Sequence, residues 1–256
     1  MTIHSKIPSI GLGTYMMSPE EAEEMTYEAI KIGYRHIDTA EVYRNEQGVA
    51  KGIERSLSEG LVSRSELFIT TKVFPGNEIW GQSQKTFDDV TESLDNSLKR
   101  LKLEYVDLYL IHSAHANKTR IEQWKALLEL KSMGKITYAG VANWNIKHLQ
   151  EINDADLPLP DTNQIELHPW AQQPELVEYL QNNNVHIIAY SSLVPLSTWR
   201  KKDGENSLKT KDMENEGSSV ESLFKILANK YNVKESQILL QWALQLKYAI
   251  LPKTIK

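Results

Sequence analysis

Asp38 and Tyr43 stand five positions apart, in His36-Ile-Asp-Thr-Ala-Glu-Val-Tyr43, where a short apolar run ends. A strand end and a turn supply such a pair by themselves, so it takes on chemical meaning only with partners. Two partners close later apolar runs: Lys72 ends residues 67–72, and His112 ends residues 105–112. A free phenol has a pKa of about 10, so Tyr43 as proton donor to a carbonyl undergoing reduction near neutral pH needs its acidity raised. An ammonium group beside it would stabilise the phenolate, and a carboxylate paired with that ammonium would keep it charged and in place. Lys72 and Asp38 are the residues available for those tasks. His112, as a neutral imidazole, could orient the substrate oxygen or stabilise its developing negative charge. Taken alone, it reads equally well as a structural histidine bonded to a backbone carbonyl.

These groups meet only if the elements carrying them bring their ends to one place. The chain alternates. Residues 7–15 read as a strand running into a glycine-bearing loop, and Ser18-Pro-Glu-Glu21 opens a helix with a capping Ser, a first-turn Pro and a Glu three after the cap. A second strand at 34–37 delivers Asp38, and Val49, Ile53 and Leu57 mark the next helix. A third strand is expected at 67–72, followed by a helix capped by Thr86 and Asp89 with Val90, Leu94, Leu98 and Leu101 on one face. Residues 105–112, 136–141, 162–166, 185–190 and 248–251 supply five more strands. Helical segments fall between them, around 119–133, Leu149 and Ile152, 176–180, 223–227 and 238–246. Residues 191–217 are polar and read as a long mobile loop.

Eight strands alternating with helices, with no composition shift that marks a linker, predict one (β/α)8 TIM barrel over residues 1–256. The competing doubly wound sheet lacks its main signature, because no G-x-G-x-x-G follows any predicted strand. In a barrel the C-terminal strand ends form one mouth. Asp38, Lys72, His112, Asn143, Gln164, Tyr190 and Lys253 would then converge there. Tyr15 and Trp80, in loops after strands, join His112 as candidates for a substrate pocket, although either aromatic would serve as well in core packing.

The totals narrow the options further. With 29 Lys and Arg against 34 Asp and Glu, the net charge is -5, which gives no basic field to hold nucleic acid. There is no Cys, which removes disulfides, thiolate catalysis and Cys-ligated metal, and the seven His show no HExxH-like pair. No metal is expected. The first ten residues lack the apolar core of a secretory signal and no window is long enough to span a membrane. The expectation is a cytoplasmic protein, a monomer or weak oligomer, with a small-molecule partner.

Beyond this residue reading, the chain resembles the aldo-keto reductase family along nearly its whole length. The resemblance rests on Gly11-Leu-Gly-Thr14, Asp38-Thr-Ala-x-x-Tyr43, Lys72, Val106-Asp-Leu-Tyr-Leu-Ile-His112, Gly140-Val-Ala-Asn-Trp144, Asn163-Gln-Ile-Glu-Leu-His-Pro169, Ala189-Tyr-Ser191 and Leu251-Pro-Lys253, in the family's usual order. It implies NAD(P)H-dependent reduction of aldehydes or ketones on a TIM barrel. By similarity Tyr43 is the general acid, Lys72 and Asp38 tune it, and His112 positions the carbonyl. Asn143 and Gln164 would hold the nicotinamide carboxamide, with the Tyr190 ring against the nicotinamide face. Gly13, Thr14 and Asp38 would border the cofactor, Ser191 and Leu193 would meet its pyrophosphate region, and Lys253 and Thr254 its adenosine phosphate. NADPH is expected over NADH, since Lys253 suits a 2′-phosphate.

Two departures from the family pattern stand out. Ala142 replaces the usual Ser before the amide-binding Asn, removing a hydrogen bond worth about 1 kcal/mol. The sequence also ends at Lys256, without the adenine-gripping Arg and Asn, the last barrel helix and the C-terminal tail that the resemblance leads one to expect. That shortfall motivates an alternative, a catalytically weak nucleotide-binding regulatory or interaction subunit on the same barrel. A third reading, a lyase or isomerase using Lys72 as a Schiff base, rests on the lysine alone.

Overall fold

A computed structural model describes residues 6–196 and 223–254. Eight strands pair in parallel and in sequence order: β1 (Gly11–Gly13), β2 (His36–Asp38), β3 (Phe68–Val73), β4 (Val106–Ile111), β5 (Ile136–Ala142), β6 (Thr162–Glu166), β7 (His186–Tyr190) and β8 (Ala249–Ile250). The ring closes where Ile10 bridges Ile250, the Ile250 N–H donates to the Ser9 carbonyl (2.9 Å) and the Gly13 N–H donates to the Pro252 carbonyl (3.1 Å). This is the expected barrel. The strands lie close to where sequence placed them, except that Asp38 itself joins the ladder opposite Thr70.

Between the strands run α1 (Pro19–Lys31), α2 (Glu46–Ser58), α3 (Phe87–Leu101), α4 (Arg120–Ser132), α5 (Ile146–Asp154) and α6 (Pro174–Asn182). Two further helices, α7 (Leu223–Tyr231) and α8 (Glu235–Gln245), precede β8. Both begin or end a turn away from the expected segments. The predicted caps form: the Glu21 N–H donates to Ser18 Oγ (3.1 Å) and the Ser18 N–H to Glu21 Oε2 (2.8 Å), while Thr86 and Asp89 reciprocate at the start of α3. Of the expected loop at 191–217, residues 191–196 include a short 3-10 turn, Val194–Leu196, and the remainder lies outside the described residues. Among the described residues, no helix is long and apolar enough to cross a membrane.

Because side chains alternate across a strand, the sheet separates two apolar cores. Ile37, Ile69, Tyr109, Ile111, Val141 and Ile165 join the helices in an outer cluster. Phe68, Leu108, Leu110, Ala142, Ile188 and Ala249 fill the barrel interior. The inward set also carries the polar groups: Asp38, two positions beyond His36, and Lys72, two beyond Thr70. Any outward-facing neighbour of these residues would instead meet a helix. The apolar filling thus forms the floor beneath the mouth, and the polar residues form its upper layer.

Against the outside of β1 and β2, α1 and α2 pack close enough that only glycine fits at their contact. A Cβ on Gly48 would sit 2.0 Å from the Pro19 carbonyl oxygen. Since α2 follows directly on the Tyr43 turn, this contact also fixes where that turn begins. Gly48→Ala is expected to destabilise the protein by about 1–3 kcal/mol, the usual range for overpacking. Urea denaturation of the variant against the wild type measures it, and an unchanged midpoint would show that the helices yield freely.

Candidate active site

Lys72 is fully buried on β3, with 0% of its side chain exposed. A buried ammonium is tolerated only when paired and hydrogen-bonded, and all its contacts lie at the mouth. Its Nζ donates to Asp38 Oδ1 at 2.5 Å and to the Thr39 carbonyl at 2.8 Å, and reaches Tyr43 Oη at 3.5 Å. Asp38's second oxygen, Oδ2, accepts from Gln164 Nε2 at 2.8 Å. His112 enters from the next strand, with Nε2 3.5 Å from Tyr43 Oη and the two rings edge to face at 5.5 Å. The four residues singled out from sequence therefore form one cluster. Lys72 is too enclosed and too fully engaged to offer its nitrogen to a substrate carbonyl, which argues against a Schiff base.

The phenol's position depends on Thr14, already a candidate at the cofactor, and on Asn45 and Glu46, which sequence did not single out. Tyr43 ends the 3-10 turn Glu41–Tyr43, and Arg44 follows in left-handed conformation (φ 56°). Asn45 is fully buried; its Oδ1 accepts from Thr39 Oγ1 (2.8 Å), and its Nδ2 donates to the carbonyls of Thr14 (2.8 Å) and Met17 (3.1 Å). An Asn just before a helix looks like a cap, but here its side chain makes no cap bond. It sews the loop after β2 to the loop after β1 instead. Thr14, also buried, donates its hydroxyl to the Asp38 carbonyl (3.0 Å). Glu46 is the other hidden residue: buried at the start of α2, it accepts from Thr71 Oγ1 and from Arg100 Nε, both at 2.6 Å. Only its place beside Tyr43 and Asn45 could have flagged it.

The electrostatics correct one expectation. Tyr43's phenol is pushed well above its ordinary pKa, by burial first and then by the charges of Asp38 and Tyr15. The lysine Nζ sits 2.5 Å from the Asp38 carboxylate and 3.5 Å from the phenol. Burial is the largest of these causes, so desolvation decides the direction, and the Asp38 carboxylate adds to it. Burial also pulls Lys72 down, opposed by Asp38. His112 is lowered to about 3, by burial and then by the neighbouring Lys72 ammonium. At neutral pH the phenol is thus protonated and the imidazole neutral, beside the hydrogen-bonded Lys72–Asp38 pair.

Around the rest of the rim, Asn143 follows β5 with φ 63°; its Nδ2 donates to the His112 carbonyl (3.2 Å) and its Oδ1 accepts from the Tyr190 hydroxyl (2.7 Å). That bond anchors the Tyr190 ring by its outer end. With Nε2 given to Asp38, Gln164 Oε1 accepts no hydrogen bond among the described residues and remains an acceptor for an amide. Ser191 (φ 60°) and Leu193 follow β7, and Lys253 and Thr254 are exposed after β8. From β5 to β8 the rim therefore offers amide groups, an aromatic face, a hydroxyl and an ammonium, a donor set that fits a nicotinamide and its phosphates. Gly13 lies at the closure seam, and Ala142 is packed in the inner core.

Tyr15, 53% exposed, sets its ring 5.1 Å from that of Tyr43. Trp80, 62% exposed, stacks on Phe74 with centroids 6.1 Å apart and planes 8° apart, and meets His115 edge-on at 5.3 Å. These aromatics stand in the loops after β1, β3 and β4, whereas most of the residues expected at the cofactor lie on or after β6 to β8 or just after β5, with Gly13, Thr14 and Asp38 at β1 and β2.

The model of the Aldo/keto reductase family matches residues 9–255. Methylglyoxal reductase of Yersinia pestis is 36% identical over 250 residues, covering 97% of this chain and 79% of its own length. The NAD(P)H-dependent D-xylose reductase of Candida tenuis is 35% identical over 273 residues, with 97% and 81% covered. A Bombyx mori aldo-keto reductase crystallised with NADP superposes with a TM-score of 0.81 at 31% identity, covering 98% of this chain and 80% of that one.

His112, lowered to about 3, and His36, buried beside Phe68 and lowered to about 4 by burial, stay neutral in the folded chain below pH 6.5, where the unfolded chain takes up protons. Both groups favour the unfolded state as pH falls from about 6.5 towards 4, by up to about 1.4 kcal/mol per pH unit each, and contribute nothing to the slope above 6.5. Urea midpoints between pH 7 and 4.5 check this. A His36→Gln variant is expected to be less stable at pH 7 and to show a shallower acid slope; an unaltered slope would contradict the assignment.

Proposed function

This chain belongs to the aldo/keto reductase family, and we propose from that premise that it reduces aldehydes or ketones to alcohols with NADPH, Tyr43 serving as the proton donor. The observation that carries the reading is the approach of Lys72 Nζ and His112 Nε2 to Tyr43 Oη, at 3.5 Å each. Bound NADPH supplies the hydride that adds to the carbonyl carbon. Tyr43 Oη gives its proton to the oxygen that gains the electron pair, and solvent later restores it.

A phenol with a raised pKa keeps its proton until negative charge develops on the substrate. The Lys72 ammonium, held by Asp38, then stabilises the phenolate that forms. His112, with its proton on Nε2, donates to the same substrate oxygen and fixes the carbonyl's direction. Asn143 and Gln164 orient the carboxamide of the nicotinamide, and the anchored Tyr190 ring supports its face. Gly13, Thr14 and Asp38 would border the bound cofactor. Ser191 and Leu193 meet the pyrophosphate. Lys253 and Thr254 receive the adenosine phosphate, and the ammonium favours NADPH over NADH. The exposed rings of Tyr15 and Trp80 wall the substrate side, and a compact carbonyl such as methylglyoxal, the substrate in the Yersinia relative's name, is the first candidate.

Purified protein with NADPH and methylglyoxal, glyceraldehyde, nitrobenzaldehyde or a diketone should consume reduced cofactor. Tyr43→Phe is expected to lose about 10²–10⁴-fold in kcat, the usual contribution of a general acid, while still binding NADPH by nicotinamide fluorescence. A variant as active as the wild type removes Tyr43 from the mechanism. Because His112 is neutral throughout, kcat/KM should show no histidine ionisation near pH 6.5; an inflection there that disappears in His112→Gln would contradict its assigned state.

A further inference from the structure

Glu41 shares the 3-10 turn with Tyr43 but points the other way. Its Oε1 accepts the backbone N–H of Phe74 at 2.6 Å and the ammonium of Lys85 at 2.7 Å. Those two residues bracket the loop between β3 and α3, whose tip carries Trp80. One carboxylate oxygen therefore joins the turn that presents the phenol to both ends of the loop that presents the aromatic wall.

That loop is built to keep its shape. At its base the buried Gln123 donates from Nε2 to the carbonyls of Pro75 (2.9 Å) and Lys85 (2.8 Å), and the Lys85 N–H donates to the Pro75 carbonyl (2.9 Å). Gly76 turns the chain at φ 88°, where a Cβ would lie 2.1 Å from the Ser83 carbonyl oxygen. Lys85 Nζ also donates to Ser93 Oγ on α3 at 2.5 Å. The loop after β4 is fastened to the same body: Gln84 Nε2 donates to Asn117 Oδ1 (2.7 Å), the Lys118 N–H to Gln84 Oε1 (2.8 Å), and Lys118 Nζ pairs with Glu78 at 2.9 Å. Phe74 stacks on Trp80, and besides Lys72, two residues earlier on β3 and 3.5 Å from Tyr43 Oη, the Glu41 carboxylate is what ties Phe74 to the Tyr43 turn among the described residues.

We propose that Glu41 is a positioning residue, registering the Tyr43 turn against the Phe74–Trp80 wall so that the surface holding the substrate and the atom protonating it move as one body. This inference rests on Tyr43 as proton donor. A carboxylate suits the task better than a neutral side chain, because charge-assisted bonds are shorter and stronger, and the Phe74 N–H and the Lys85 ammonium both converge on it. Its loss would leave the phenol able to drift by a fraction of an ångström from the substrate oxygen. Displacements approaching an ångström can cost up to about a hundredfold in rate.

The test compares Glu41→Ala, Glu41→Gln and Tyr43→Phe in NADPH-dependent reduction. Glu41→Ala should lose about tenfold or more in kcat, with NADPH affinity unchanged and with a solvent deuterium isotope effect on kcat larger than that of the wild type, since a misplaced phenol makes proton transfer limiting. Glu41→Gln, which keeps an acceptor for the Phe74 N–H, should recover most of the rate. A Glu41→Ala variant with wild-type kcat and isotope effect, or a Glu41→Gln variant as impaired as Glu41→Ala, overturns the proposal. Should neither Glu41 variant fold, Lys85→Met must raise the isotope effect, and an unchanged one overturns it. If Tyr43→Phe alone is inactive while the Glu41 variants are normal, this inference fails by itself. If all are normal, the assignment of Tyr43 fails with it.

Discussion

A full positive charge sits inside this barrel, and much of the site follows from the need to satisfy it. Lys72 has no exposed surface, so its ammonium survives only against Asp38 at 2.5 Å and the Thr39 carbonyl at 2.8 Å. Removing one partner of such a pair leaves an uncompensated charge and costs about 3–5 kcal/mol. Asp38 must therefore face inward from the end of β2, and the loop after it must turn so that the Thr39 carbonyl faces the lysine. The phenol that follows stands at the open side of the same ammonium. Burial, with the Asp38 charge adding to it, keeps Tyr43 protonated, and the lysine stands 3.5 Å from the phenol oxygen, within reach of a phenolate there.

Holding the phenol there takes a second set of bonds, all buried or half-buried. Asn45 fastens the turn to the loop after β1, Thr14 fastens the Asp38 backbone, and Glu41 fastens the turn to the loop after β3. The α1–α2 contact at Gly48 and the Glu46–Arg100 pair fix the helix that follows. Four consecutive strand-end loops, after β1 to β4, thus support the Tyr43 side of the mouth. The rim from β5 to β8 is bonded more sparsely, through Asn143, Gln164 and Tyr190, and its groups are those suited to a cofactor.

The sequence makes the repeating units and the inward polar strand ends legible for simple reasons. Apolar periodicity marks Val90, Leu94, Leu98 and Leu101 as one helix face, caps at Ser18 and Thr86 mark starts, and a titratable residue breaking an apolar run marks Asp38, Lys72 and His112. Their convergence also follows once eight strands are counted, because a barrel has one C-terminal face. The supporting bonds are not legible in this way. Asn45 looks like a helix cap and Glu41 like a solvated turn residue until β3 and its loop are folded beside them. The direction of Tyr43's pKa is not legible either, because sequence supplies charged neighbours but not burial, which is the largest cause of its rise.

Burial holds the Tyr43 phenol above its ordinary pKa, so that its proton is retained through neutral pH, as the proposed donor role requires. Carbon-13 NMR of protein labelled at the tyrosine ring Cζ, with the Tyr43 resonance assigned by its disappearance in Tyr43→Phe, reads that state directly. The account predicts that the resonance keeps its phenol shift from pH 6 to beyond the ordinary phenol value of about 10. A Tyr43 resonance that titrates below that value would contradict it, since the ammonium would then outweigh both burial and Asp38.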